Sequence, residues 1–308
     1  RKVATRQSYG EALVELGAAH DDFVVLDADL AAATQTGKFK AAYPDRFIDV
    51  GVAEQNLMGV VAGIATTGHR VFASTFAMFA AGRAFEQVRN SIGYPHLHVV
   101  IGATHAGMSV GEDGATHQCN EDLALMRAIP GMTVIVPADD VEAKAAVRAA
   151  YEAEGPVYVR LGRLPVPVIH KDDYHFELGR GVIEREGSDV TVIACGLEVP
   201  AALEAAKTLA DKGMSCEVIN MATIKPLDGD LIVASARKTG RVVTVEEHSV
   251  IGGLGSAVCD LLCEACPTPV KKIGVNDVFG ESGPALDLLA KYGLDGAGVA
   301  EAIEGFVR

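Results

Sequence analysis

Residues 97–122 read LHVVIGATHAGMSVGEDGATHQCNED. A short apolar run, Leu97–Ile101, closes on a long polar loop carrying His105, Asp113 and His117 among several glycines. In parallel α/β sheets the strands are buried on both faces and read as apolar runs, and ligands sit beyond their carboxyl ends. The stretch therefore predicts a central strand followed by a site loop.

The same alternation runs outward in both directions. Strands are expected at Phe23–Leu26, Phe47–Val50, Arg70–Ala73, Thr133–Val136 and Val157–Arg160. Between them lie segments of helical period at 8–20, 53–68, 78–92 and 139–155, each long enough for a parallel crossover. The pattern breaks at 164–180, LPVPVIHKDDYHFELGR, where prolines fix an extended chain and a polar stretch follows, so a linker is expected there. A second, smaller α/β unit follows, with strands at 189–195, 215–220, 241–247 and 270–275 and helices at 199–213, 230–240 and 253–265. The fold class is α/β with two domains, at 1–163 and 181–308.

The length of 308 residues agrees with two domains at roughly 150 residues each. Forty-one acidic against 27 basic residues give a net charge of −14, which attracts neither a phosphate polymer nor an anionic membrane. The longest stretch without Asp, Glu, Lys or Arg, Asn90–Gly111, holds a proline, three histidines and several glycines and is no lipid-facing helix. No charged and apolar leader opens the chain, so a soluble, cytoplasmic protein is expected, without nucleic acid or membrane partners. Cys259, Cys263 and Cys266 sit at helical spacing and are read as reduced, small buried hydrophobes rather than metal ligands.

Several signatures are absent: no G-x-x-x-x-G-K-[ST], no H-E-x-x-H and no G-x-S-x-G. GGLGSAV at 252–258 lacks the third glycine of a dinucleotide turn and reads as a strand-to-helix turn. Two segments add to the polar loop. IDVGVAEQN, 48–56, puts Glu54 at a helix start, where backbone N–H groups favour a carboxylate. STFAMFAAGRAFEQVR, 74–89, carries Phe76, Phe79 and Phe85 on a helix that begins just after a strand.

Taken together, PDRFIDVGVAEQN (44–56), ASTFAMFAAGRAFEQVR (73–89), THAGMSVGEDGATHQ (104–118) and EDLALMRAIPGM (121–132) resemble the pyrimidine-binding domain of transketolases. VATRQSYGEAL and VVLDADL fit the start of that domain. INMATIKPLDGD (219–230), VVTVEEHSVIGGLGSAV (242–258) and FGESGPALDLLAKYGLD (279–295) resemble the transketolase carboxy-terminal domain. The resemblance spans nearly the whole chain, in order, and implies the carboxy-terminal subunit of a split transketolase.

What the resemblance implies can be stated residue by residue. Glu54 matches the Glu that hydrogen-bonds the aminopyrimidine of thiamine diphosphate and favours its imino tautomer. Phe76 and Phe79 match the aromatics that pack on that ring, and Asp29 matches the acid that approaches the thiazolium side. Arg6, His105 and Arg163 match residues that hold the sugar or its phosphate. Asp113 and His117 match the pair that reads hydroxyls near the reacting carbonyl. Glu54, His117 and His105 form the expected catalytic set, with no metal ligand in this chain. Two departures stand out: Ala33, with Thr34 beside it, replaces a phosphate-binding Ser, and Gly82 replaces a third aromatic.

No G-D-G occurs; the nearest strings are GEDG (111–114) and LDGD (227–230). The resemblance therefore implies an amino-terminal, diphosphate-binding partner subunit holding Mg2+ or Ca2+, an α2β2 assembly, and sugar or sugar-phosphate substrates. The β subunit of a 2-oxoacid dehydrogenase, a 1-deoxyxylulose-5-phosphate synthase fragment and a non-catalytic partner subunit are the competing readings. GEDGATHQ and THAGMSVG favour transketolase, because a polyhydroxylated sugar needs Asp and His partners.

Overall fold

The computed structural model describes residues 1–308. Its strands, in chain order, are β1 (Lys2–Val3), β2 (Phe23–Asp27), β3 (Phe47–Asp49), β4 (Arg70–Phe76), β5 (Val99–Thr104), β6 (Thr133–Ile135), β7 (Val157–Arg160) and β8 (Val166–Pro167). There follow β9 (Val182–Arg185), β10 (Val190–Ala194), β11 (Cys216–Asn220), β12 (Thr223–Lys225), β13 (Val242–Ser249) and β14 (Val270–Val275). One sheet runs β12-β6-β7-β5-β4-β2-β3 and the other β14-β13-β10-β11-β9. Pairing is parallel throughout except at one edge of each, where β12 and β9 run antiparallel to β6 and β11. This is the two-unit α/β fold that the strand and helix alternation predicts.

β5 is buried along its whole length, which explains why it reads as an apolar run. Gly102 within it is required by a close approach: a Cβ there would run into the ring of Tyr9, from the helix Thr5–Ala19. The Tyr9 hydroxyl meets Ser74 Oγ at 2.6 Å, so the polar end of this core residue is satisfied.

Several strands carry no readable internal pattern. β1, β8, β9 and β12 are two to four residues long and exist through their neighbours rather than through periodicity. β12 matters most, because it leaves the second unit and joins the edge of the first sheet. A buried cluster runs across the same boundary, from Leu26, Ala103 and Met126 to Ile219, Val242 and Leu254. The two units therefore share a core. No helix is long and apolar enough to cross a membrane.

Two local expectations need correction. The helix expected over 78–92 is broken into wide π turns, Met78–Arg83 and Val88–Gly93, around a single short α turn. The three clustered cysteines are not buried either. Cys263 is exposed, and Cys259 and Cys266 are half-buried, because they lie on the outer side of the helix Leu254–Ala265 and at its end.

The stretch 164–180 is clamped rather than loose. β8 pairs with β1, and the backbone N–H groups of Ile169 and His170 both donate to Asp139 Oδ2 at 2.8 Å. His170 lies between two carboxylates, its Nδ1 3.0 Å from Asp139 Oδ1 and its Nε2 3.0 Å from Glu184 Oε1 on β9. Tyr174 packs on the imidazole and donates to Glu142 Oε1, which also accepts from Asn220 Nδ2. Burial alone would lower the His170 pKa; the two carboxylates outweigh it and raise it from 6.5 to about 10.

That geometry sets a pH dependence with a definite sign. An imidazolium with a raised pKa stabilises fully below its ordinary value near 6.5, and the contribution fades as pH climbs through about 10. His170→Ala leaves two carboxylates without their shared cation and is expected to cost about 3 kcal/mol near pH 6. The gap from wild type should shrink above about pH 10. Urea unfolding at both pH values reads it, and an unchanged gap would show that the imidazolium charge is not what holds the clamp.

Candidate active site

The carboxyl ends of β2, β4, β5 and β7 deliver the residues of interest to one edge of the first sheet. Phe76 ends β4, His105 follows β5, Asp29 follows β2 and Arg163 lies just beyond β7. The Phe76 ring stacks on the His105 imidazole at 3.8 Å between centroids and lies near-parallel to Phe79 at 5.8 Å. His117 meets Phe79 edge-on at 5.3 Å and Phe76 at 6.2 Å. The Arg83 guanidinium then covers the Phe79 ring at 4.7 Å, and its Nη1 donates to Glu54 Oε2 at 3.1 Å. One continuous line of contacts runs from Glu54 through Arg83, Phe79, Phe76 and His105 to Arg6.

Glu54 opens the helix Glu54–Ala65 and is buried. The expectation that helix-start N–H groups hold its carboxylate is not met; Arg83 takes that role, and Oε1 is left without a protein partner. The π turn Met78–Arg83 sets Phe79 and Arg83, four residues apart, on one face. Gly82 leaves the space in which the Met78 methyl lies, so the wall that a third aromatic would have made is aliphatic.

His105 has a positive φ of 55°, a strained backbone for a residue with a side chain. Its Nε2 lies 3.3 Å from Arg6 Nη1, and its Nδ1 lies 2.9 Å from Thr104 Oγ1. A guanidinium only donates, so Nε2 is the bare nitrogen and Nδ1 carries the proton. Burial first, and then the positive charges of Arg6 and Arg163, push its pKa down to about 3. At neutral pH His105 is an uncharged acceptor facing the site.

Arg6 also donates to the Ala33 carbonyl at 2.7 Å. Arg163 donates to the Val110 carbonyl and, at 3.1 Å, to Glu112 Oε2. The two arginines line a cleft of about 380 Å³ with Gln7, Gln35, Ser109 and Glu112. Thr34 cannot stand in for a serine at 33: it is buried, and its hydroxyl donates to Asp27 Oδ2 at 2.7 Å. Asp27, buried and also bonded to Thr36 and the Leu30 amide, folds the turn that leaves Asp29 exposed at φ 62°. Asp29 and Asp113 are exposed, and no side-chain hydrogen bond or ion pair joins either to the aromatic and arginine line. A larger cleft, about 630 Å³, opens beside Phe79, Arg83, Thr116 and the exposed Phe279.

The sequence reading missed the groups that support this site from inside. Arg160 is buried and donates to Asp122 Oδ2 at 2.8 Å, to the Cys119 carbonyl at 3.1 Å and to the Glu247 carbonyl at 2.9 Å. The Glu247 carboxylate accepts the Ser109 amide. Burial raises the Glu247 pKa to about 7 against the opposing pull of Arg160 and that amide. The signal was present in VVTVEEHSV, where charges end an apolar strand.

With this geometry in place, comparison with known proteins is specific. The family model for the transketolase pyrimidine-binding domain matches residues 1–168, and that for the transketolase C-terminal domain matches 179–299. A protein of Methanocaldococcus jannaschii described as a transketolase C-terminal section is 51% identical over 97% of this chain and 94% of its own length. A 6-deoxy-6-sulfo-D-fructose transketolase subunit of a Clostridium species is 43% identical over 96% of this chain and 92% of its own. A solved structure described as a split gene transketolase, inactive beta4 tetramer, superposes with a TM-score of 0.91 at 55% identity, covering 99% of this chain and 98% of that one. The chain belongs to the transketolase family, as a pyrimidine-binding domain joined to a transketolase C-terminal domain.

Proposed function

We propose that this chain is the carboxy-terminal subunit of a thiamine diphosphate-dependent transketolase that moves a two-carbon ketol unit from a ketose donor to an aldose acceptor. The observation that carries the reading is the unbroken line from Glu54 to Arg6. The residues suit one half of the cofactor. Phe76 and Phe79 offer a flat apolar platform for an aminopyrimidine, and Glu54 Oε1 is a carboxylate oxygen free to bond a ring nitrogen. Asp29 stands at the thiazolium side in this assignment. Bound thiamine diphosphate supplies the nucleophilic carbon that ketol transfer requires.

The chain's own residues divide the remaining work. Arg83 keeps Glu54 in place with one oxygen engaged and the other free. His105, neutral, has one acceptor nitrogen, Nε2, which Arg6 engages and a substrate hydroxyl would share. His117, edge-on to both phenylalanines, is the group placed to relay protons near the reacting carbonyl, and Asp113 reads an adjacent hydroxyl. Arg6 and Arg163 bind an anionic sugar terminus. The sulfonated sugar in the name of the Clostridium relative supports an anion, phosphate or otherwise, as the recognised end.

An amino-terminal partner subunit holding the diphosphate and its Mg2+ or Ca2+ completes this reading, in an α2β2 assembly in the cytoplasm. The description of the structural relative as an inactive beta4 tetramer supports it.

The test is reconstitution. The chain alone should bind thiamine diphosphate weakly and give no turnover, while mixing with the amino-terminal subunit restores both; full activity of the chain alone would overturn the split-site reading. Within the complex, Glu54→Gln should cut the rate by roughly two to four orders of magnitude with the fold intact. A folded variant of near wild-type rate would remove Glu54 from catalysis.

Acceptor choice gives a second outcome. A charge-assisted contact is worth about 1.5–3 kcal/mol, more than the single neutral bond that a serine at position 33 could add. Arg163→Ala should therefore raise KM for an anionic aldehyde at least about tenfold and change that for an uncharged one little. Equal losses on both would assign Arg163 to holding the Val110 carbonyl instead.

A further inference from the structure

The carboxy-terminal unit contributes none of the residues placed above in direct contact with cofactor or substrate, yet it reaches the site loop repeatedly. Glu247, near the end of β13, accepts the Ser109 amide, and Ser249 donates its amide to the Asn120 carbonyl at 2.7 Å. Gln118 Nε2 donates to the Glu281 carbonyl at 2.9 Å while also bonding Met108 and Gly111 carbonyls in the loop. The loop needs such support, because His105, Gly107, Gly111 and Gly114 all have positive φ and only the three glycines take it without strain.

Glu247 is the best seated of these props. Gly107 is shaped around its carboxylate: a Cβ at 107 would lie 2.6 and 2.7 Å from the two oxygens. The Gly107 amide in turn bonds the Cys119 carbonyl at 2.9 Å, and Arg160 ties that same carbonyl to the backbone of Glu247. The two ends of the loop meet at the Cys119 carbonyl, which one buried guanidinium ties to the backbone of Glu247.

Resting on the function proposed above, we infer that Glu247 is a positioning residue for ketol transfer: from the carboxy-terminal domain, it holds the 105–117 loop so that His105, Asp113 and His117 present to the sugar. It touches neither cofactor nor substrate. Its effect should therefore fall on sugar binding and on the loop's order, leaving cofactor affinity nearly unchanged.

The full chain with Glu247→Ala and Glu247→Gln tests this by two readouts. In amide hydrogen exchange on the chain alone, Glu247→Ala should speed Ser109 exchange at least about tenfold relative to Val243, which reports the sheet, while the Gln oxygen restores protection to within about threefold. In the complex, Glu247→Ala should raise KM for the ketose donor at least about tenfold with thiamine diphosphate affinity within about twofold, and Gln should recover most of it. Should Glu247→Ala fail to fold, Glu247→Asp, which keeps the charge but withdraws it by one methylene, should loosen Ser109 in the same way. Unchanged Ser109 protection or donor KM, or a Gln variant as impaired as Ala, would overturn the assignment. The exchange experiment requires no turnover, so a complex inactive as wild type would count against the proposed reaction and not against the prop.

Discussion

The structure turns on one buried guanidinium. Arg160, at the end of β7, is out of water, and burial works against its charge; Asp122, 2.8 Å away and fully buried, together with Glu247, more than compensates and holds the proton more firmly than usual. A buried ion pair costs desolvation on both sides and returns it only when the remaining donors are used. Here most of the exchange is made: Nε bonds Asp122, Nη2 bonds the carbonyls of Cys119 and Glu247, and Asp122 Oδ2 also accepts from the Tyr158 hydroxyl, while Asp122 Oδ1 is left without a hydrogen-bond partner. The pair's yield is placement more than stability: it fixes the end of the site loop, a strand of the second sheet and the helix Asp122–Ala128 relative to one another.

That placement accounts for the electrostatics of the site. The chain as a whole carries −14, yet Arg6, Arg163 and Arg83 gather at one sheet edge. Burial first, and then the charges of Arg6 and Arg163, keep His105 neutral, so its Nε2 accepts from Arg6 while both arginines line the cleft. A net acidic surface discourages polyanions at long range, whereas a small anion within reach of two guanidiniums is bound by short contacts that the overall charge does not cancel. Glu112 beside Arg163 tempers this, because the arginine must share its donors between that carboxylate and any ligand.

The parts of the molecule legible in the sequence are those with an internal period or a dense motif. β5 and its polar loop, the parallel crossovers and the second unit all follow from apolar runs and helical spacing. Phe76, Phe79, His105 and His117 were reachable through the resemblance, and they do meet. What could not be read depends on partners distant in sequence. β12 exists because β6 offers an edge about 90 residues earlier in the chain, and the clamp on 164–180 exists because Asp139 and Glu184 converge on His170. Glu54 shows the limit most clearly. Its position at a helix start was visible, but its actual partner, Arg83, depends on a π turn, which inserts a residue that no 3.6-residue period anticipates.

The proposed division of the cofactor between two chains then has a physical rationale. Recognition of an aminopyrimidine requires a flat apolar platform and one fixed carboxylate, both of which a strand end and a helix start supply within a single domain. Recognition of a diphosphate requires a hard cation held by several oxygens, and the buried carboxylates near this site are already committed: Asp27 to three hydrogen bonds that fold its own turn, Glu54 to Arg83, Glu247 to the loop, while Asp29 and Asp113 stand exposed. Redirecting any of the committed three to a metal would undo the geometry that the rings and the sugar loop depend on. A ligand that bridges two such surfaces stabilises their association by its affinity for both, so in the proposed split site the cofactor would favour the assembled state.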